Sequence, residues 1–234
     1  MRKKFAGLVI TSKDKYQKKH LRERQASLTS RDFNGQIYKQ DSTFLEIPSI
    51  KNDDLDRCDL IRYTIEASSI GLILIAATTR GFCSVQIGNA TTKLTNALKQ
   101  EFPTATYVKD DQELGFNIRN LIELISGTPA NSIFPVDIEA TVFQLCVWKQ
   151  LCKIPTGETR SYTDIAKAIK YPKATRAVAS ACASNPLALI IPCHRVVPIC
   201  GDIGNYRWGA ERKRTLLKNE REEKFPASNQ RQLL

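Results

Sequence analysis

The stretch Ile191-Pro192-Cys193-His194-Arg195-Val196-Val197 sets a cysteine beside a histidine, between an apolar run and a basic residue. Histidine occurs only at His20 and His194, so an adjacent Cys-His pair stands out from the composition. A thiol attacks only as thiolate, and a neighbouring imidazole or positive charge lowers its pKa toward neutrality. The pair marks Cys193 as a candidate nucleophile and His194 as a candidate base. What Cys193 attacks has to be read from the surrounding chain.

Upstream, Ala174 to Ser184 reads as a helix in which Ala177, Ala179, Ala181 and Ala183 leave little side chain to hold a partner away, with Arg176 at its start. It is preceded by Ser161-Tyr162-Thr163-Asp164, a helix-start signature with Ser161 as cap and Asp164 in the reciprocal position. Ile165, Ala166 and Ile169 give that second helix an apolar face, and Tyr171-Pro172 ends it. Two short helices separated by a brief turn satisfy the requirement of a helix-turn-helix, although any α/β protein also contains such pairs. Earlier still, Phe143, Cys146, Val147, Leu151 and Ile154 recur at helical spacing, which predicts a one-faced helix ending at Pro155. Cys146 and Cys152 read there as small core residues.

Residues 60–132 have a different pattern. Ile61 to Ile65 is strand-like, and Gly71 to Ala77 followed by Phe82 to Ile87 predicts a hairpin around Thr79-Arg80-Gly81. Thr92 to Phe102 and Glu113 to Ser126 have helical spacing, stopped by Pro103 and by Gly127-Thr128-Pro129.

Composition limits the possible classes. The chain has 234 residues, 42% hydrophobic and 25% charged, as in an ordinary globular protein with a sizeable core. Its longest apolar run, Ile70 to Ala77, is strand-sized and too short to cross a bilayer, so no membrane role is expected. The basic Met1-Arg2-Lys3-Lys4 leads into a charged Thr11 to Arg24 instead of a signal-peptide core, and a cytoplasmic location is expected. Seven cysteines, at 58, 83, 146, 152, 182, 193 and 200, are odd in number and irregularly spaced, which predicts free thiols in a reducing compartment. No Cys-x-x-Cys occurs, and no structural metal is expected. The net charge of +11 is distributed as +4 in residues 1–60, zero in 61–132 and +7 in 133–234. A basic C-terminal half suits a polyanionic partner, and equally a solvated charged face.

Taken in order, Ser161-Tyr162, Arg176-Ala177-Val178, Asn185-Pro186, Pro192-Cys193-His194-Arg195-Val196, Gly204-Asn205-Tyr206-Arg207-Trp208-Gly209 and Glu220 resemble the motif set of the O6-alkylguanine-DNA alkyltransferases, the methylated-DNA–protein-cysteine methyltransferases. The likeness covers about residues 60–222 and is nearest to the C-terminal part of bacterial Ada-type proteins, which share the Tyr-Arg-Trp-Gly run. It implies an α/β fold: a small ribonuclease H-like α/β domain over 59–136, then a mostly helical winged helix-turn-helix-like domain over 137–222, with a polar tail at 223–234. It also implies a monomer without cofactor, acting in the bacterial cytoplasm on double-stranded DNA through the minor groove.

The chemistry implied is direct reversal of damage. An O6-alkylguanine, and also O4-methylthymine, is extruded from the duplex into a pocket, and its alkyl group passes irreversibly to Cys193. On this resemblance Arg176 is the finger that replaces the extruded base, and Tyr162 presses the adjacent phosphate and reaches the flipped base. Ser161, Thr175, Ala177 and Ser180 complete the DNA-facing set. His194 deprotonates Cys193 through a water, and Glu220 orients His194. Asn185 ties the recognition helix to the active-site loop, while Val196, Gly204, Asn205, Tyr206 and Arg207 line the pocket. The family carries serine in some members at the place of Arg207, which bears on tolerance of bulky alkyl groups. From the residues alone, Arg176 reads equally as a surface phosphate contact, Tyr162 as a core tyrosine and Glu220 as a solvated helix residue.

Residues 1–58 have a fainter resemblance, strongest over Thr11 to His20, to the AraC-type region upstream in Ada-type proteins. They are expected to be a truncated remnant without phosphotriester repair, or a basic tail that adds nonspecific DNA affinity. Two other functions fit parts of the chain: a DNA-binding regulator that uses methylation as a signal, and a cysteine hydrolase built on Cys193 and His194.

Overall fold

A computed structural model describes residues 60–127 and 134–224. The readings made for residues 1–58 and for nearly all of the 223–234 tail lie outside the described residues.

The first half is built on one sheet. Strands β1 (Leu60–Ser68), β2 (Gly71–Ala77) and β3 (Phe82–Gly88) form an antiparallel meander. Helix α1 (Thr91–Glu101) then carries the chain across to β4 (Thr106–Lys109), which pairs parallel to β1, so the sheet order is β3-β2-β1-β4. Ile73, Leu74, Ile75 and Ala76 of β2 are all buried, because both sheet faces are covered. Leu74 and Ala76 pack with Leu94 and Leu98 of α1. Ile73 and Ile75 pack on the other face with Leu114, Ile118 and Leu121 of α2 (Asp111–Glu123) and with the second half of the chain. Asp110 caps α2 by accepting the Glu113 N–H at 2.9 Å.

The second half is mostly helical: α3 (Val142–Leu151), α4 (Tyr162–Ala168), α5 (Thr175–Ala183) and α6 (Ala210–Lys224). Reciprocal capping boxes start α3 (Thr141 with Gln144) and α4 (Ser161 with Asp164). Between α5 and α6, Cys193–Arg195 form a single 3-10 turn. The turn leads into β6 (Val196–Val197), which pairs parallel to β5 (Arg160–Ser161). That small ladder holds the Cys193 turn against the start of α4. The mixed α/β half and the mostly helical half agree with the expected fold class.

The two halves are joined along the open edge of β3. Val85 donates its N–H to the Pro186 carbonyl (2.9 Å) and accepts from the Ala188 N–H (3.1 Å). Phe82 is bracketed in the same way by Pro135 and Asp137 at 2.9 Å each. The larger core cluster therefore takes residues from both sides of position 137.

Two expectations need correction. Cys146 is exposed and is not the core residue expected, whereas Cys152, half-buried, packs against the main core cluster. The buried face of α3 is Val147, Trp148 and Leu151, turned toward Trp148, whose indole N–H donates to the Ala181 carbonyl of α5 at 2.8 Å. A buried indole needs a partner, and satisfying it rotates the helix away from Cys146. The sequence patterns do not predict β4, and Glu220 lies within the long helix α6, which begins at Ala210. Among the described residues no helix is long and apolar enough to cross a membrane.

Candidate active site

Cys193 lies at a pocket of about 630 Å³, lined also by Tyr162 of α4, Ser180 and Ala183 of α5, Pro198, and the loop Gly204-Asn205-Tyr206-Arg207. That volume is typical of a site for a small organic group. Gly204 has φ +68, and a Cβ there would meet the Pro198 ring at 2.8 Å, so the loop can close on the pocket only with glycine at this position.

Asn185 organises the segment that carries the nucleophile. Wholly buried, it donates from Nδ2 to the Ile191 carbonyl (2.9 Å) and to Cys193 Sγ (3.2 Å), and its Oδ1 accepts the Leu187 N–H (2.9 Å). These bonds hold a loop in which buried Leu189 has φ +68, a left-handed conformation costing a non-glycine residue roughly 1–2 kcal/mol. Burial pushes the Cys193 thiol up to about 11, against the opposing pull of the Asn185 hydrogen bond and the Lys213 and Arg207 charges. The resting residue is therefore a thiol, and attack requires a base.

His194 is buried beside it, with Nε2 at 2.8 Å from Glu220 Oε1. Its Nδ1 has no hydrogen-bond partner among the described residues. Burial lowers the His194 pKa, with Glu220 acting in the opposite sense, while Arg195 and Lys213 lower it further. For Glu220, burial acts upward, but hydrogen bonding and charge from His194 and Arg195 prevail and bring its pKa down to about 2. An ionised carboxylate facing a neutral ring gives the orienter–base half of the order found in other triads.

Comparisons with known proteins show what this chain is similar to. The family model described as 6-O-methylguanine DNA methyltransferase, DNA binding domain, matches residues 142–222. The bifunctional transcriptional activator/DNA repair enzyme Ada of Escherichia coli is 43% identical over 162 residues, 69% of this chain and 46% of that protein. The inducible methylated-DNA–protein-cysteine methyltransferase of Bacillus subtilis is 38% identical over 63% of this chain and 83% of its own length. The chain belongs to the methylated-DNA–protein-cysteine methyltransferase family. Among solved structures, the OGT protein of Mycobacterium tuberculosis in complex with DNA superposes with a TM-score of 0.60 at 32% identity, covering 72% of this chain and 97% of that one. The chain spans about half the length of the Ada proteins that it matches.

The site residues expected for this family fall into three groups. Asn185 bonds to Cys193 and His194 to Glu220, two pairs joined through the adjacent Cys193 and His194, and Tyr162, Ser180, Gly204, Asn205, Tyr206 and Arg207 share the pocket with Cys193. Arg176, Ala177 and Ser180 stand exposed on α5, with Thr175 half-buried at its start. Two residues are placed otherwise. Ser161 is 8% exposed and its hydroxyl is bonded to Asp164 (2.7 Å), so it is the helix cap and not an exposed DNA contact. Val196 is not among the pocket-lining residues, and its carbonyl accepts from the Lys213 ammonium at 2.6 Å.

Lys213 and Arg195 are the residues that the sequence reading missed. Lys213 is wholly buried, and with Leu216, Leu217 and Glu220 it forms the inner face of α6 at positions i, i+3, i+4 and i+7. The spacing was the available signal. It was hidden because both ends of the stripe are charged, and such residues are normally read as solvated. Arg195 binds Glu220 through Nε and one terminal nitrogen and also reaches the Ile154 carbonyl and Thr156 Oγ1.

Proposed function

We propose that this protein repairs alkylated DNA by moving an alkyl group from O6 of an extruded guanine, and also from O4 of thymine, onto Cys193. The observation that carries this reading is a buried thiol at a base-sized pocket, next to a helix whose small exposed residues flank the pocket mouth. Ala177 and Ser180 on α5 allow close approach to a minor groove, and Arg176 stands ready to fill the gap left by the extruded base.

In the reaction, His194 takes the Cys193 proton through a bridging water, and Glu220 stabilises the imidazolium. The sulfur lone pair then attacks the alkyl carbon. The carbon–O6 bond breaks, its electrons remain on the guanine, and a proton is delivered to the departing base. The proton taken up by His194 is the one that can pass to the base, while Tyr162, whose phenol burial raises to about 12, stays protonated and donates a hydrogen bond to the charge developing there. Asn185 and the cations Lys213 and Arg207 favour the thiolate as it forms.

The product is a thioether. Cys182 is buried, with its thiol pushed up to about 12 by burial, and does not suit the task of resolving it. One transfer per chain is expected, by a monomer acting on double-stranded DNA in the cytoplasm. Transcriptional activation, which the name of the Escherichia coli relative carries, is not assigned to this chain. The test is incubation with duplex DNA carrying radiolabelled O6-methylguanine. Label should reach Cys193 in a one-to-one ratio; label transferred undiminished in Cys193→Ala, or in multiple turnovers, overturns the proposal.

A further inference from the structure

We infer that Arg195 is a positioning residue that dictates which ring nitrogen of His194 is left free to accept the thiol proton, because it clamps the Glu220 carboxylate in one orientation. The mechanistic consequence rests on the transfer to Cys193 proposed above; the tautomer itself does not.

The guanidinium of Arg195 is engaged on every side. Nε lies 3.1 Å from both oxygens of Glu220, and one terminal nitrogen bridges Glu220 Oε1 and Thr156 Oγ1 at 3.0 Å each. The other terminal nitrogen donates to the Ile154 carbonyl at 2.6 Å. The Gly157 N–H adds a fourth donor, 3.2 Å from Glu220 Oε2. Glu220, 2% exposed, therefore has a fixed rotamer, and Oε1 is the oxygen turned to His194 Nε2. An ionised carboxylate only accepts hydrogen bonds, so the nitrogen facing it has to carry the proton. That forces the Nε2–H tautomer and leaves a lone pair on Nδ1, the buried nitrogen without a partner among the described residues.

The clamp works because a planar fork can bind the carboxylate edge while leaving one lone pair of Oε1 for the imidazole. Glu220 without Arg195 would keep only the His194 ring and the 3.2 Å Gly157 N–H, lose the charge that holds it ionised, and make the opposite tautomer accessible. The charged or titratable groups around His194 are Cys193 and Arg195 on its own turn, Lys213 and Glu220 on α6, Tyr206 on the pocket loop and Cys152 after α3. Of these only Glu220 favours the protonated ring through charge. Arg195 and Lys213 oppose it, so the ring rests neutral with Nδ1 basic.

The full-length chain and its Arg195→Met and Arg195→Lys variants separate this role from simple support. Two readouts are needed: nitrogen-15 spectra of the His194 ring, and the pH profile of single-turnover methyl transfer. In the wild type the ring should be almost wholly the Nε2–H tautomer. In Arg195→Met it should become a mixture, transfer at neutral pH should fall at least tenfold, and the acid limb of the profile should move to higher pH as a cation beside the ring is lost. Arg195→Lys keeps the charge and loses the fork, so it should mix the tautomers with little movement of the acid limb; it also serves if the methionine variant does not fold. An unchanged ring spectrum in folded variants, with rates lowered equally at every pH, would overturn the inference. Because the ring spectrum needs no DNA, it tests the clamp even if Cys193 accepts no methyl group.

Discussion

Glu220 and His194 respond to acid in the same direction. The Glu220 carboxyl is held at about 2 against an ordinary 4.5, so on acidification the unfolded chain takes up this proton first. Its contribution to stability is complete above pH 4.5 and is lost as pH falls toward about 2. Burial lowers His194 below its ordinary 6.5, so the unfolded histidine also protonates first and stability declines as pH falls through that value. Urea midpoints measured from pH 8 down to about 3 should therefore fall in two stages. Glu220→Gln should lose the lower stage and be less stable above it; parallel curves for the two proteins would show that the carboxylate does not titrate as described. Of these residues, Cys193 and His194 were legible from adjacency alone, whereas Glu220 and Asn185 needed the family resemblance. Glu220 lies on the i, i+3, i+4, i+7 stripe of α6, but its charge hides that signal, and Asn185 has no spacing signal at all: its meaning lies in contacts made across the fold, such as the 2.9 Å bond to the Ile191 carbonyl.

At the scale of elements, the link that aims Tyr162 is the start of α4. Ser161 and Asp164 satisfy each other's backbone N–H groups at 3.0 Å, while the same Ser161 pairs with Val197 in the small β5–β6 ladder. Ser161→Ala should cost about 1 kcal/mol of stability, the usual loss for a cap. It should also slow methyl transfer from duplex DNA more than transfer from the free modified base if Tyr162 presses a phosphate, as the family resemblance implies, because the free base has none. Equal slowing of both would separate the cap from DNA engagement. This cap was readable because its signature is local, and so was the hairpin at Thr79-Arg80-Gly81. β4 was not readable: Thr106 to Lys109 is short, mostly exposed, and is a strand only because β1 offers an edge. The face of α3 was misjudged for a related reason, since the bond from Trp148 to Ala181 belongs to the packing of two helices and leaves no trace in periodicity.

For the molecule as a whole, the +11 charge bears on how DNA is met. Lys167, Lys170, Lys173 and Arg176 stand exposed along the end of α4, the following turn and the start of α5, next to the proposed groove-binding face. Phosphate contacts release counterions, so binding to unmodified duplex should weaken steeply with salt. Replacing Lys170 and Lys173 together by alanine should reduce the log–log salt slope by about 0.9 for each phosphate no longer neutralised. Methyl transfer at saturating DNA should be unchanged, because neither lysine lines the pocket. An unaltered slope would move the phosphate track to another face. The charge asymmetry toward residues 133–234 was plain in composition, but its division between a DNA track and the buried Lys213 was not.

The join between the halves decides what can be moved intact. The segment 142–222 has a family signature of its own, yet it is not a portable module. Pro186 and Ala188 complete the hydrogen bonding of Val85, Arg212 donates to the Ile70 carbonyl at 2.7 Å, and Asn219 donates to the Ile125 carbonyl at 2.7 Å. Transplanted without the sheet, that segment would carry unpaired polar groups that cost about 1–3 kcal/mol for each one left buried. A graft that begins at residue 137 would carry the nucleophile without the β3 edge that pairs with its loop, and should unfold at lower temperature than the block from β1 to α6.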